Sequence, residues 1–107
     1  MDSPEPKFVA LVRLEAFPVG SAQAFAVGSA LVALFHTPEG LFALDDHCTH
    51  SGGPLSEGDV RDGVVTCRWH GAAFRLATGR SSGAILCRAV ERHEVRVRAG
   101  WIEVEAR

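Results

Sequence analysis

Four side chains stand out for the chemistry they could do together. Cys48-Thr49-His50 forms one cluster, and after sixteen further residues Cys67-Arg68-Trp69-His70 forms a second. The pattern is C-x-H-x16-C-x2-H. Each cluster supplies one soft thiolate and one borderline imidazole, a donor set suited to a transition-metal centre. The even mixture suggests two chemically different metal positions, one sulfur-ligated and one nitrogen-ligated. Zinc is the competing occupant, because two cysteines and two histidines can also hold a structural zinc without redox chemistry. Zinc pairs, however, usually come as C-x2–4-C with H-x3–5-H, and here each pair is mixed.

The flanks of both clusters resemble those of the Rieske iron–sulfur proteins. His50-Ser51-Gly52-Gly53-Pro54-Leu55-Ser56 is similar to that family's first ligand loop. Arg68-Trp69-His70-Gly71-Ala72-Ala73-Phe74 is similar to the second. The likeness is most specific between Leu41 and Thr78 and weaker, as a pattern of strands, elsewhere. It implies one Rieske-type [2Fe–2S] cluster per chain, with Cys48 and Cys67 on one iron and His50 and His70 on the other. It also implies an all-β fold, an antiparallel sandwich or open barrel, with a small cluster-binding subdomain of two loops. Residues 1–107 would then be a single domain, and the cluster-binding insertion would lie at about 45–75.

Neutral imidazoles leave such a cluster less anionic than a four-cysteine one, so it accepts an electron more readily. The expected window is about −150 to +300 mV, against about −400 mV for plant-type ferredoxins. High-potential relatives carry a loop-to-loop disulfide whose cysteines would fall at Gly53 and Trp69. They also carry a serine at the place of Ala72 and a tyrosine at the place of Phe74. Without these, the low end of the window is expected. Electron exit is expected at the exposed imidazole edges, through a small apolar collar of Pro54, Leu55, Trp69 and Ala72, with Gly53 and Gly71 as further loop candidates. Glycines suit loops that pass close to a cluster, because no side chain intrudes.

The elements that must position these loops read as strands. Phe8 to Leu14 reads as a first strand, and Phe25 and Val27 alternate before the Gly28-Ser29 turn. Ala30 to Thr37 is rich in Val, Leu and Phe, and Pro38-Glu39-Gly40 turns it into Leu41 to Leu44. Asp62-Gly63 separates Asp59-Val60-Arg61 from Val64-Val65-Thr66, a short hairpin between the ligand loops. Val95 and Val97 face one way and Glu94, Arg96 and Arg98 the other. After Ala99-Gly100, Ile102 and Val104 alternate with Glu103 and Glu105. No amphipathic helix is evident; Gly20 to Ala24 has room for one turn.

Length and composition narrow the function. A chain of 107 residues is one domain by length. Eleven basic and thirteen acidic residues give a net charge of −2, which argues against nucleic acid as a partner. No stretch of eighteen apolar residues is present, so no membrane span is expected. The start, Met1 to Pro6, lacks the basic head and apolar core of a signal peptide, and a cytoplasmic protein is expected. Of three cysteines, Cys87 remains after the site is assigned and reads as a small buried hydrophobe. His47, beside Cys48, reads as a loop histidine outside the ligand set.

No dinucleotide fingerprint, phosphate-binding loop or H-E-x-x-H motif is present, so an electron carrier is expected and not an enzyme in its own right. The resemblance implies a ferredoxin that passes one electron from a flavoprotein NAD(P)H reductase to a terminal oxygenase. The alternative it allows is the small subunit of an assimilatory nitrite reductase, partnered by a large reductase subunit.

Overall fold

The computed structural model describes residues 7–106, and the start read above as unlike a signal peptide lies outside the described residues. Eleven strands are found among them: β1 (Lys7–Arg13), β2 (Ala22–Val27), β3 (Ala30–Thr37), β4 (Gly40–Asp45), β5 (Asp59–Arg61), β6 (Val64–Thr66), β7 (Ala73–Arg75), β8 (Ser81–Ser82), β9 (Arg92–His93), β10 (Val95–Arg98) and β11 (Trp101–Ala106). They form three antiparallel sheets, ordered β1-β11-β10, β2-β3-β4-β9 and β5-β6-β7-β8. The helical content of the described residues is two single 3₁₀ turns, Leu14–Ala16 and Leu55–Glu57. The one-turn helix expected at 20–24 is absent, and strand β2 already begins at Ala22. Among the described residues, no helix is long and apolar enough to cross a membrane.

Strand β3 organises the molecule. Val32, Ala33, Leu34 and Phe35 are all fully buried, and successive strand side chains point to opposite faces. A strand with four consecutive buried residues must therefore be covered on both sides. Val32 and Leu34 join Phe17, Val27, Ala43, Ile102 and Val104 in a core beneath the β1-β11-β10 sheet. Ala33 and Phe35 join Leu44, Leu55, Val65, Phe74 and Leu76 in a second core on the other side, which also takes in Cys48 and Cys67. Each large side chain so buried contributes about 1.5–3 kcal/mol. The ligand loops thus rest on a wall shared with the rest of the fold.

The β5–β6 hairpin turns at Asp62-Gly63, with both residues at positive φ (+51° and +75°). That is the two-residue geometry for which Asp-Gly is suited. Strand pairing then continues through β7 and β8 as far as Ser82. β7 and β8, at three and two residues, are too short to leave a periodic signal in the sequence. On the β10–β11 hairpin, Arg96 and Glu103 are opposite one another with Nε and Oε1 2.6 Å apart. Val97 departs from expectation: it is 46% exposed, since β10 is a sheet edge with nothing packed over that position. His93 is buried; its Nε2 lies 2.7 Å from Asp45 Oδ1, and its Nδ1 has no hydrogen-bond partner among the described residues.

Candidate metal centre

The two candidate ligand loops close in the same way. In the first, the Gly52 amide donates to the Cys48 carbonyl at 2.7 Å, and the Cys48 amide donates to the Gly53 carbonyl at 2.8 Å. In the second, the Gly71 amide donates to the Cys67 carbonyl at 3.0 Å, and the Cys67 amide donates to the Ala72 carbonyl at 2.8 Å. Gly52 and Gly71 each have φ of +81°, a conformation open to glycine at little cost. The sequence folds locally into two matched hairpin-like loops because each cysteine is followed, four residues on, by a glycine.

These loops are pinned from outside. Asp46, buried at the end of β4, accepts hydrogen bonds from the Ser56 amide (2.7 Å) and hydroxyl (2.9 Å), fixing both ends of the first loop. The Thr49 hydroxyl donates to the Arg88 carbonyl, tying that loop to the 83–90 segment. Strand β8 holds that segment in turn: Ser81 Oγ donates to the Ile85 carbonyl at 3.1 Å and accepts from the Cys87 amide at 3.2 Å.

The donors separate by depth. Cys48 and Cys67 are buried, while His50 and His70 are exposed. The imidazole rings face one another edge to face, with centroids 5.9 Å apart and planes at 86°. Ser51 Oγ lies 3.4 Å from Cys67 Sγ. Burial pushes the Cys48 thiol up, but hydrogen bonds from the Ser51 hydroxyl, from the Ser51 and His50 backbone and from Cys67 outweigh it and hold the thiol below its ordinary value. That favours the thiolate, the form that ligates metal. Among the described residues, no three His, Cys, Asp or Glu side chains gather around one point. Cys48 and Cys67 form a buried sulfur pair, and His50 and His70 an exposed nitrogen pair.

The expected collar is narrower than the sequence suggested. Leu55 and Ala72 are fully buried and belong to the core beneath the loops, so they form the floor and not the rim. Gly53 is buried as well: a Cβ there would stand 2.7 Å from Trp69 Cδ2 and 3.1 Å from Cys67 Sγ. Trp69, expected in the collar, lies across Gly53 and is 59% exposed. Pro54 is half-buried and Gly71 exposed. Two residues were missed. Leu86, 84% exposed, sits on the segment whose Ile85 reaches Gly71; its only trace in the sequence was the apolar run Ala84-Ile85-Leu86. Ser51 gave no signal beyond standing next to His50. Cys87 is half-buried with Sγ 3.7 Å from Ser81 Oγ, and exposed His47 places its Cε1 over Gly52.

The fold and the donor pairs define a class, and comparison with known proteins gives the family. Residues 7–94 match the model of the Rieske [2Fe-2S] domain, and this chain belongs to that family. Its cofactor is a Rieske-type [2Fe–2S] cluster, and the relatives it matches include ferredoxin subunits of dioxygenase systems. It is 32% identical over 91 residues to the anthranilate 1,2-dioxygenase ferredoxin subunit of Burkholderia cepacia, covering 85% of this chain and 84% of that protein. It superposes with a TM-score of 0.84 and 27% identity on a chain from the complex of reduced oxygenase and oxidized ferredoxin in carbazole 1,9a-dioxygenase, covering 92% of each. A putative NADH-dependent nitrite reductase small subunit from Mycobacterium tuberculosis has the same fold, with a TM-score of 0.83, 22% identity and coverage of 95% and 96%.

Proposed function

We propose that Cys48 and Cys67 hold one iron of the cluster and His50 and His70 the other, and that the chain is a one-electron carrier rather than an enzyme. The observation that carries this is the matched pair of loops, each presenting a buried thiol and an exposed imidazole. Bound there, the cluster supplies reversible one-electron storage. The chain's own residues do the rest. Leu55, Phe74 and the other floor residues exclude water from the sulfur side, and the two imidazole edges leave the nitrogen side open to a partner. The domain reading that fits is a single Rieske unit over the chain, with the ligands in the insertion between β4 and β9.

The partners that fit are a flavoprotein NAD(P)H reductase as donor and a terminal oxygenase as acceptor. Sequence likeness to an oxygenase ferredoxin supports this, whereas likeness to the nitrite reductase subunit is one of fold. Redox encounters of this kind are small and transient, commonly burying under about 1,200 Å². Action in the cytoplasm follows from these partners.

The test is anaerobic purification followed by iron and acid-labile sulfide assay and reduced-state electron paramagnetic resonance. A reddish-brown protein with two irons per chain, lost on Cys67→Ser, and reoxidised by an oxygenase is the expected result. A colourless chain that binds zinc stoichiometrically, or co-purification with a large sirohaem subunit, would overturn the reading.

A further inference from the structure

Among the hydrogen bonds of the described residues, Ser51 supplies the side-chain hydroxyl that reaches a candidate ligand sulfur. Its Oγ lies 3.4 Å from Cys67 Sγ, on the opposite loop, and accepts from the Gly53 amide at 3.4 Å. Ala72 and Phe74, buried nearby, bring no hydroxyl of their own. A thiolate bound to iron has no proton to give, so in the loaded protein the contact has one sense: Ser51 donates and Cys67 accepts. The Gly53 amide occupies a lone pair of the same oxygen, which orients the O–H toward sulfur and polarises it.

We infer that Ser51 is a tuning residue for the electron carrier, its hydroxyl bonding to the Cys67 sulfur and raising the cluster's reduction potential. The inference rests on the ligand assignment proposed above. Reduction by one electron adds negative charge that is shared with the ligand sulfurs, and a donor aimed at one of them strengthens as that charge grows. Because Ser51 sits on the loop of Cys48 and His50 while its target sits on the other, the same contact also couples the two loops.

The experiment is potentiometric titration of the loaded protein and of Ser51→Ala, Ser51→Val and Ser51→Thr. Val and Thr differ by a methyl against a hydroxyl, so bulk and hydrogen bonding are separated. Both apolar variants should be harder to reduce by about tenfold in equilibrium constant, which is ~59 mV for one electron, and Ser51→Thr should stay near the parent. Potentials unchanged in Ala and Val, or displaced equally in Thr, would overturn the inference. Loss of the cluster in Ala and Val but not in Thr would assign the hydroxyl to assembly and overturn tuning. A parent protein without a mixed-ligand cluster would instead refute the ligand assignment, a separate failure read before any variant is titrated.

Discussion

Gly52 and Gly71 are equivalent residues in two loops of different sequence: each has φ of +81°, and each returns its amide to the carbonyl of the cysteine four positions earlier. A Cβ at Gly71 would meet nothing nearer than Ile85 Cδ1 at 4.0 Å, and one at Gly52 nothing nearer than His47 Cε1 at 3.6 Å. Substitution is therefore opposed by backbone conformation and not by space. Gly52→Ala and Gly71→Ala should each destabilise the protein by about 1–2 kcal/mol, with similar values at both sites. Urea denaturation of the two variants measures this, and sharply unequal costs would contradict the equivalence.

Gly53 and Trp69 are coupled differently, through volume. The Cβ of Gly53→Ala would press on the indole at 2.7 Å and on Cys67 Sγ at 3.1 Å. Overpacking of this kind costs about 1–3 kcal/mol, and here it falls on a proposed ligand. Gly53→Ala should shorten cluster lifetime, and Trp69→Ala in the same chain should recover part of the loss. The rate of bleaching in air across the four members of the cycle gives the coupling; strict additivity would show that the two residues act independently.

Leu86 is the most exposed of the large apolar side chains, and its neighbour Ile85 reaches Gly71 of the second loop. If the oxygenase docks on the imidazole edges, Leu86→Ser should weaken the encounter by about 5–30-fold, the range expected for truncating an interface anchor, and leave the potential unmoved. Stopped-flow reoxidation as a function of oxygenase concentration separates affinity from intrinsic rate. Unchanged affinity would remove Leu86 from the docking face.

Asp59 and Arg68 link the β5 edge to the second loop. Arg68 donates to Asp59 Oδ1 from Nη2 at 2.9 Å and from Nε at 3.3 Å, which holds the Asp59 carboxyl below its ordinary value. Because the folded value is the lower one, the pair's contribution is present above the ordinary carboxylate range. It is lost as pH falls through the folded value. Both groups are exposed, so the effect on stability is small. Arg68→Gln should return the Asp59 titration to the ordinary range, as followed by carbon NMR of its carboxyl.

What the sequence disclosed follows from signal length. The ligand spacing, the β3 run and the Asp62-Gly63 turn are each explicit in local chemistry, and the structure forms the strands they imply. Strands β7, β8 and β9 have two or three residues each, fewer than a period-two pattern needs to stand out. Val97 alternated correctly but lies on an edge strand, where alternation no longer predicts burial. Leu55 and Ala72 were placed at the rim because they follow the ligands in sequence, although side-chain direction in a closed loop decides depth. Ser51 was illegible because its target, Cys67, is sixteen residues away on another loop.

Strand β3 has no idle face, and this makes the scaffold mechanically indivisible. The wall that backs the thiols is the same wall that backs Ile102 and Val104 on the far sheet. Slackening on one side is felt on the other through a single ribbon of backbone. Stripping the iron should accordingly lower the temperature at which the distant sheet melts, and heat should release the metal in one concerted event.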